Sequence, residues 1–145
     1  MYNHILFPTD GSDCADEALG HAIEHAQQYD ATIHALYVAD VRDVGHAAPA
    51  ISGDRIRQAL LDSGNEVLER VASKARESGV TVETTVSEGT PASVILDHAD
   101  HDDIDLVVMG THGRSGLDRY LLGSVAERVV RGSSVPVLTV RQDDE

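Results

Sequence analysis

One cysteine, one lysine and no apolar run approaching the ~20 residues of a membrane helix set the first limits on this chain. Cys14 alone cannot close an internal disulfide, which fits a reducing compartment. No basic segment followed by an apolar core and a cleavage site precedes "HILFPTD", so export is not expected and a cytoplasmic location is. A basic footprint is missing too: Lys74 is the only lysine, and 25 acidic residues against 11 basic ones give a formal charge of -14. Nucleic acid and anionic membranes both need such a footprint, so neither is expected as a partner. A functional acidic patch would concentrate this charge, whereas adaptation to a salt-rich cytoplasm would spread it. Asp and Glu recur in "DCADEAL", "DHADHDDID" and "QDDE", which favours a spread, halophilic surface.

The 145 residues, 41% of them hydrophobic, suit one self-sustaining domain spanning 1–145. "HILFPTD" reads as a buried strand. Ser12 or Asp13 then caps a helix with Ala15, Ala18, Leu19, Ala22, Ile23 and Ala26 on its apolar face. "ATIHALYVAD" (31–40) is a second strand, and 41–53 has no period and reads as a mobile connection. Ile56, Leu60, Leu68, Val71 and Ala75 support a helix over 54–78 that stops at Gly79, with Gly64 an odd interruption. "VTVETTVSEG" alternates like a strand, Thr90-Pro91 starts a helix with the stripe Ala92, Ile95, Leu96 and Ala99, and "DIDLVVMG" is a strand covered on both faces. Val125, Val129 and Val130 mark a last helix ending before Gly132, and "VPVLTV" a last strand. Strands separated by helices run parallel, so βαβαβαβαβ implies an open, twisted α/β sheet with helices on both faces. Ligands bind such sheets beyond the carboxyl ends of the strands, where the strand order reverses.

The stretch "GTHGRSGLDRYLLGSVAERVVR" places glycines where strand four gives way to the last helix. Free amides and the positive helix end at Gly123-Ser124 suit an anion, Gly113 lets the loop fold back, and Arg114 adds positive charge. Neither GxxxxGK[ST] nor a GxGxxG after the first strand is present. The residues alone allow a phosphate or nucleotide site, or a flexible loop whose glycines only turn the chain.

The spacing Gly110-x2-Gly113-x9-Gly123-Ser124, in the contexts "VMGTHGRSG" and "GSVAERVVR", resembles the ATP-binding signature of the universal stress protein family. The resemblance runs from "ILFPTDGS" to "SSVPVLTV". It implies a three-layer, Rossmann-like, adenine nucleotide alpha hydrolase-like fold with strand order 3-2-1-4-5, and membership of the branch that binds ATP. Pro8, Thr9 and Asp10 would border the nucleoside, and Val38, ending strand two, would face the adenine edge. Met109 and Gly110 would form the floor, and His112, Gly113 and Arg114 would wrap the ribose and phosphates. Gly123, Ser124 and Val125 would hold phosphate oxygens. Mg2+ would screen the triphosphate without a dedicated protein cage. The resemblance also implies a homodimer joined antiparallel through the edge strand 135–140, where Pro136 is tolerated.

Hydrolysis needs a positioned water, a base and charge stabilisation. Asp10, His112 and Arg114 are conceivable parts, yet they form no recognised hydrolytic set. The expected function is therefore a nucleotide-binding stress-response or signalling protein. A slow ATPase, a nucleotide-transferring enzyme and a nucleotide-free interaction module stand as alternatives. His98, His101, Asp102 and Asp103 lack the convergent spacing of a zinc site. Cys14 reads as a small core hydrophobe rather than a redox sensor. Tyr120, Leu121 and Leu122 read as cover for the loop rather than a membrane wedge.

Overall fold

The computed structural model describes residues 2–40, 53–101, 103–112 and 122–142. The expected connection at 41–53 therefore lies outside the described residues except for Gly53, which opens a helix. The strands are β1 (His4–Pro8), β2 (Thr32–Ala39), β3 (Val82–Glu88), β4 (Leu106–Gly110) and β5 (Val137–Val140). Between them lie α1 (Asp13–Tyr29), α2 (Gly53–Glu77), α3 (Pro91–His101) and α4 (Ser124–Gly132). All strand pairs are parallel, in the order β3-β2-β1-β4-β5, so the order derived from the resemblance is the order found.

The apolar runs divide their side chains by the two-residue period of a strand. Ile5 and Phe7 of β1, Ile33, Ala35 and Tyr37 of β2, and Leu106 and Val108 of β4 face α1 and α2. Leu6, Leu36, Val107 and Met109 face the other way, against Ala92, Ile95 and Ala99 of α3 and Ala126 and Val129 of α4. The core is thus two layers, one on each side of a single sheet. The chain passes to the first face after β1 and to the second after β4. Because those two strands are neighbours, their exits open a crevice at the carboxyl edge.

Helix ends follow local chemistry. Ser12 caps α1, its hydroxyl accepting from the Ala15 amide at 3.2 Å. Asp30 closes α1 in the left-handed region at φ 55, and Gly79, at φ 76, ends α2 while the Val80 amide reaches back to Ala75 O at 2.9 Å. Thr90 O accepts from the Val94 amide at 3.0 Å as α3 begins. An exposed ion pair joins Arg57 of α2 to Glu88 at the end of β3, and the guanidinium hydrogen bond holds the Glu88 carboxyl below its ordinary range. Two expectations for α4 change. Val130 is 46% exposed, because this short helix presents only the narrow row Ala126–Val129 to the core. Gly132 lies within the helix rather than past it, where a Cβ would stand 3.0 Å from Leu96 Cδ1.

Gly64 also finds its reason. A Cβ there would lie 2.5 Å from Cδ1 of the buried Tyr37, so the absent side chain lets α2 settle onto β2. Gly20, midway along α1, meets nothing within 4 Å. The same substitution should therefore act oppositely at the two sites. Gly20→Ala should stabilise by up to about 1 kcal/mol through helix propensity. Gly64→Ala should destabilise by roughly 1–3 kcal/mol through overpacking. Urea unfolding of both variants checks this, and stabilisation by both would contradict the α2–Tyr37 contact.

Candidate functional site

The turn after β1 is built from its own side chains. Thr9 is buried, its amide donating to Leu36 O at 2.9 Å and its hydroxyl accepting from the Gly11 amide at 3.1 Å. Asp10 Oδ1 accepts from the Ser12 amide at 3.0 Å, and Gly11 takes φ 81 to let the chain double back. Part of the Asp10 carboxylate is thus committed to shaping the turn. The amino end of α1 is closed by Ser12 in the same way.

The amino end of α4 is built differently. Its cap residue, Gly123, has no side chain to offer, and no side-chain cap bond is made. The first-turn amides of Ser124, Val125 and Ala126 have no partner within the helix. Gly123 itself departs from the expected role, because its amide donates to Thr111 O at 2.8 Å and is spent on holding the helix to the end of β4. A Cβ on Gly123 would lie 3.0 Å from that carbonyl oxygen. Glycine is required here by close approach, and the donors left for a ligand come from Ser124 onward.

Pro8 ends β1 and Gly110 ends β4, while Val38 is the penultimate residue of β2, with Ala39 after it. Met109 is buried in the apolar layer beneath α4, and Val38 and Val125 pack against the same cluster. Three residues expected to contact the ligand therefore share one apolar cluster beneath α4. His112 is half-buried, with Nδ1 2.9 Å from the Thr111 hydroxyl. Gly113 and Arg114 lie outside the described residues, as do Tyr120 and Leu121. Among the described residues no group of three or more His, Cys, Asp or Glu side chains could hold a metal.

Two residues matter more than the sequence reading allowed. Thr111 is buried and central: its amide donates to Val140 O at 3.0 Å, and its carbonyl receives Gly123. Cys14 is buried where α1 meets the ends of β4 and β5, with its thiol donating to Val140 O at 3.4 Å. A Cβ on Gly110 would lie 2.9 Å from Cys14 Sγ and 3.1 Å from its carbonyl. The one signal in the sequence was the position of Thr111 inside "GTHG"; nothing local marked Cys14 as its neighbour.

Gly110→Ala should therefore cost roughly 1–3 kcal/mol of stability. Cys14→Ala should restore only part of the loss, because the backbone contact persists. Chemical denaturation of both single variants and the double variant measures this, and full restoration would show that only the sulfur is in the way.

The universal stress protein family model matches residues 1–141. The chain is 44% identical over 142 residues to universal stress protein MJ0531 of Methanocaldococcus jannaschii, covering 98% of this chain and 84% of that protein. Its structure is similar to that of MJ0577 from the same organism, with a TM-score of 0.88 at 29% identity and coverage of 100% of this chain and 99% of the other. A universal stress protein solved in complex with cAMP has a TM-score of 0.75 at 25% identity, covering 98% of this chain and 99% of its own. With the match spanning nearly every residue and the strand order found in the sheet, this chain belongs to the universal stress protein family.

Proposed function

We propose that the crevice at the carboxyl edge of the sheet binds ATP, and that the protein acts as a nucleotide-responsive stress protein in the cytoplasm. The observation that carries this reading is the uncapped amino end of α4, set beside the apolar floor of Val38 and Met109. An anion there meets helix amides and the positive end of the helix dipole, while a flat heterocycle can lie on the floor. Ser124 adds a hydroxyl, and Gly113 and Arg114 complete the loop signature. The similar universal stress protein in complex with cAMP supports an adenine nucleotide as the ligand class. Mg2+ would travel on the phosphates, neutralising them, since the described residues hold no cage for it.

Binding rather than turnover is the reading for the site. A nucleotide that binds one arrangement of the loop better than another shifts the population and so alters what a partner meets. Equilibrium dialysis with labelled Mg-ATP should show saturable binding at one site per chain. Gly113→Asp should abolish it, by placing a carboxylate against the phosphates, and Ser124→Ala should weaken it about three- to tenfold. Competition with ADP, AMP and cAMP ranks the phosphates. Steady ADP release by the wild type, absent in Gly113→Asp, would instead make it a slow ATPase, and no binding at all would leave an interaction module.

The second proposed property is self-association. β5 is an edge strand of the sheet with Val140 buried, while Val137, Leu138 and Thr139 remain partly exposed, and no described strand pairs with its outer side. Residues 135–140 of two copies would pair antiparallel about a two-fold axis. Light scattering in high salt should give twice the chain mass at micromolar concentration, and Leu138→Asp should give monomer. A monomeric wild type would rule this interface out.

A further inference from the structure

We propose that His21 and His25 of α1 form a two-imidazole site for a divalent transition-metal ion such as Zn2+ or Cu2+. α1 starts at the crevice and runs back toward the other edge of the sheet, so both residues, from its midpoint onward, stand clear of the nucleotide site. The inference is independent of the nucleotide reading.

The buried row of α1 is Cys14, Ala15, Ala18, Leu19, Ala22 and Ala26. His21 and His25 lie beside that row, His21 exposed and His25 half-buried, and neither belongs to either apolar layer. They stand four residues apart, a spacing that puts two side chains on one helix face with Cβ atoms about 5–6 Å apart. Two histidines at that spacing on a helix converge on one metal ion.

The ring of His25 is already set for this role. Its Nδ1 lies 2.9 Å from the carbonyl oxygen of His21. A carbonyl can only accept, so Nδ1 donates, and the neutral ring carries its lone pair on Nε2. No other placement of the proton makes this bond. The bond also folds the ring back over the turn that bears His21. On the far side stands Tyr29, its ring centroid 6.5 Å away and its plane tilted by 32°. Metal-bound histidines donate their other N–H to a carbonyl or carboxylate in the same manner, which fixes tautomer and orientation. Here the carbonyl belongs to the residue that supplies the second imidazole.

Donor type and charge select the ion. Imidazole suits Zn2+ and Cu2+, whereas Mg2+ takes oxygen ligands. Glu17 and Glu24, both exposed, stand four residues before and three after His21 on the same side of the helix. With the formal charge of -14, they favour a cation there. Among the described residues no third His, Cys, Asp or Glu completes a cage, so water takes the remaining positions and the site is open rather than structural.

Nitrogen-15 NMR of the histidine rings during a Zn2+ titration of the nucleotide-free protein tests this. The Nε2 signals of His21 and His25 should move together along one saturation curve, while Mg2+ at the same concentrations should move neither. His21→Gln should weaken Zn2+ binding at His25 roughly tenfold or more, and His25→Gln should do the same at His21, because each loses its chelating partner. His25→Gln combined with Gln28→His keeps the number of histidines but sets them two turns apart, and it should bind as weakly as His25→Gln alone. Separate curves for the two rings, a shift at Nδ1 instead of Nε2 of His25, or movement confined to other histidines would overturn the inference. So would unchanged affinity in either single variant or wild-type affinity in the respaced one. Should a variant fail to fold, the wild-type titration decides by itself.

Discussion

At the end of β4 the backbone comes so close to its surroundings that side chains do not fit. Gly110 lies against the sulfur and carbonyl of Cys14, and Gly123 against the carbonyl of Thr111. Between them Thr111 bonds on both sides, to the last residue of β5 and to the cap of α4. This crowding fixes where α4 begins. A helix held by a main-chain bond from its cap residue starts at a set distance from the strand, and its first-turn amides start there too. A bulkier residue at either glycine would push α4 or α1 away and move those donors with it.

The two helix amino ends at the crevice differ for a simple reason. α1 follows a turn in which Thr9 and Asp10 accept the Gly11 and Ser12 amides, and Ser12 then caps the helix at the Ala15 amide. α4 follows a glycine, which offers its first turn no side-chain cap. Both flank the strand pair β1–β4, where the chain leaves the sheet toward opposite faces. The apolar layer beneath α4 reaches the same edge through Met109, Val38 and Val125. The amino end of α4 and this apolar layer thus come together in the fold, though their residues lie far apart in the chain.

The acidic charge belongs to a different level of organisation. Exposed carboxylates occur on α1 (Glu17, Glu24), α2 (Glu66, Glu69), β3 (Glu83), α3 (Asp97, Asp100) and α4 (Glu127), so both helical layers carry them. Pairs such as Arg131 with Glu127 and Arg70 with Asp16 sit at the surface, where ion pairs contribute about 0–1 kcal/mol. The formal charge is -14, and among the described residues its carboxylates lie on both helical layers, where salt screens their mutual repulsion.

The architecture was legible in the chain because it depends on periodicity and punctuation. Alternating apolar residues set the strands, a hydroxyl cap and Thr-Pro started helices, and Gly79 stopped one. Val130 misled because a period of 3.6 says which residues share a face, not how wide a contact a short helix will make. In the sequence Gly64 read as an odd interruption of a helix, and Gly110 and Gly123 as parts of a candidate anion site. In the fold each is a clearance between particular atoms, which no local rule could foresee. The contact of Thr111 with Cys14 was hidden for the same reason, since the two stand 97 residues apart. What the sequence determined alone was the kind and order of its elements, since these rest on neighbours a few residues away. Which amides are spent and which stay open was decided only when β4, β5, α1 and α4 met, because that depends on distances between segments remote in the chain.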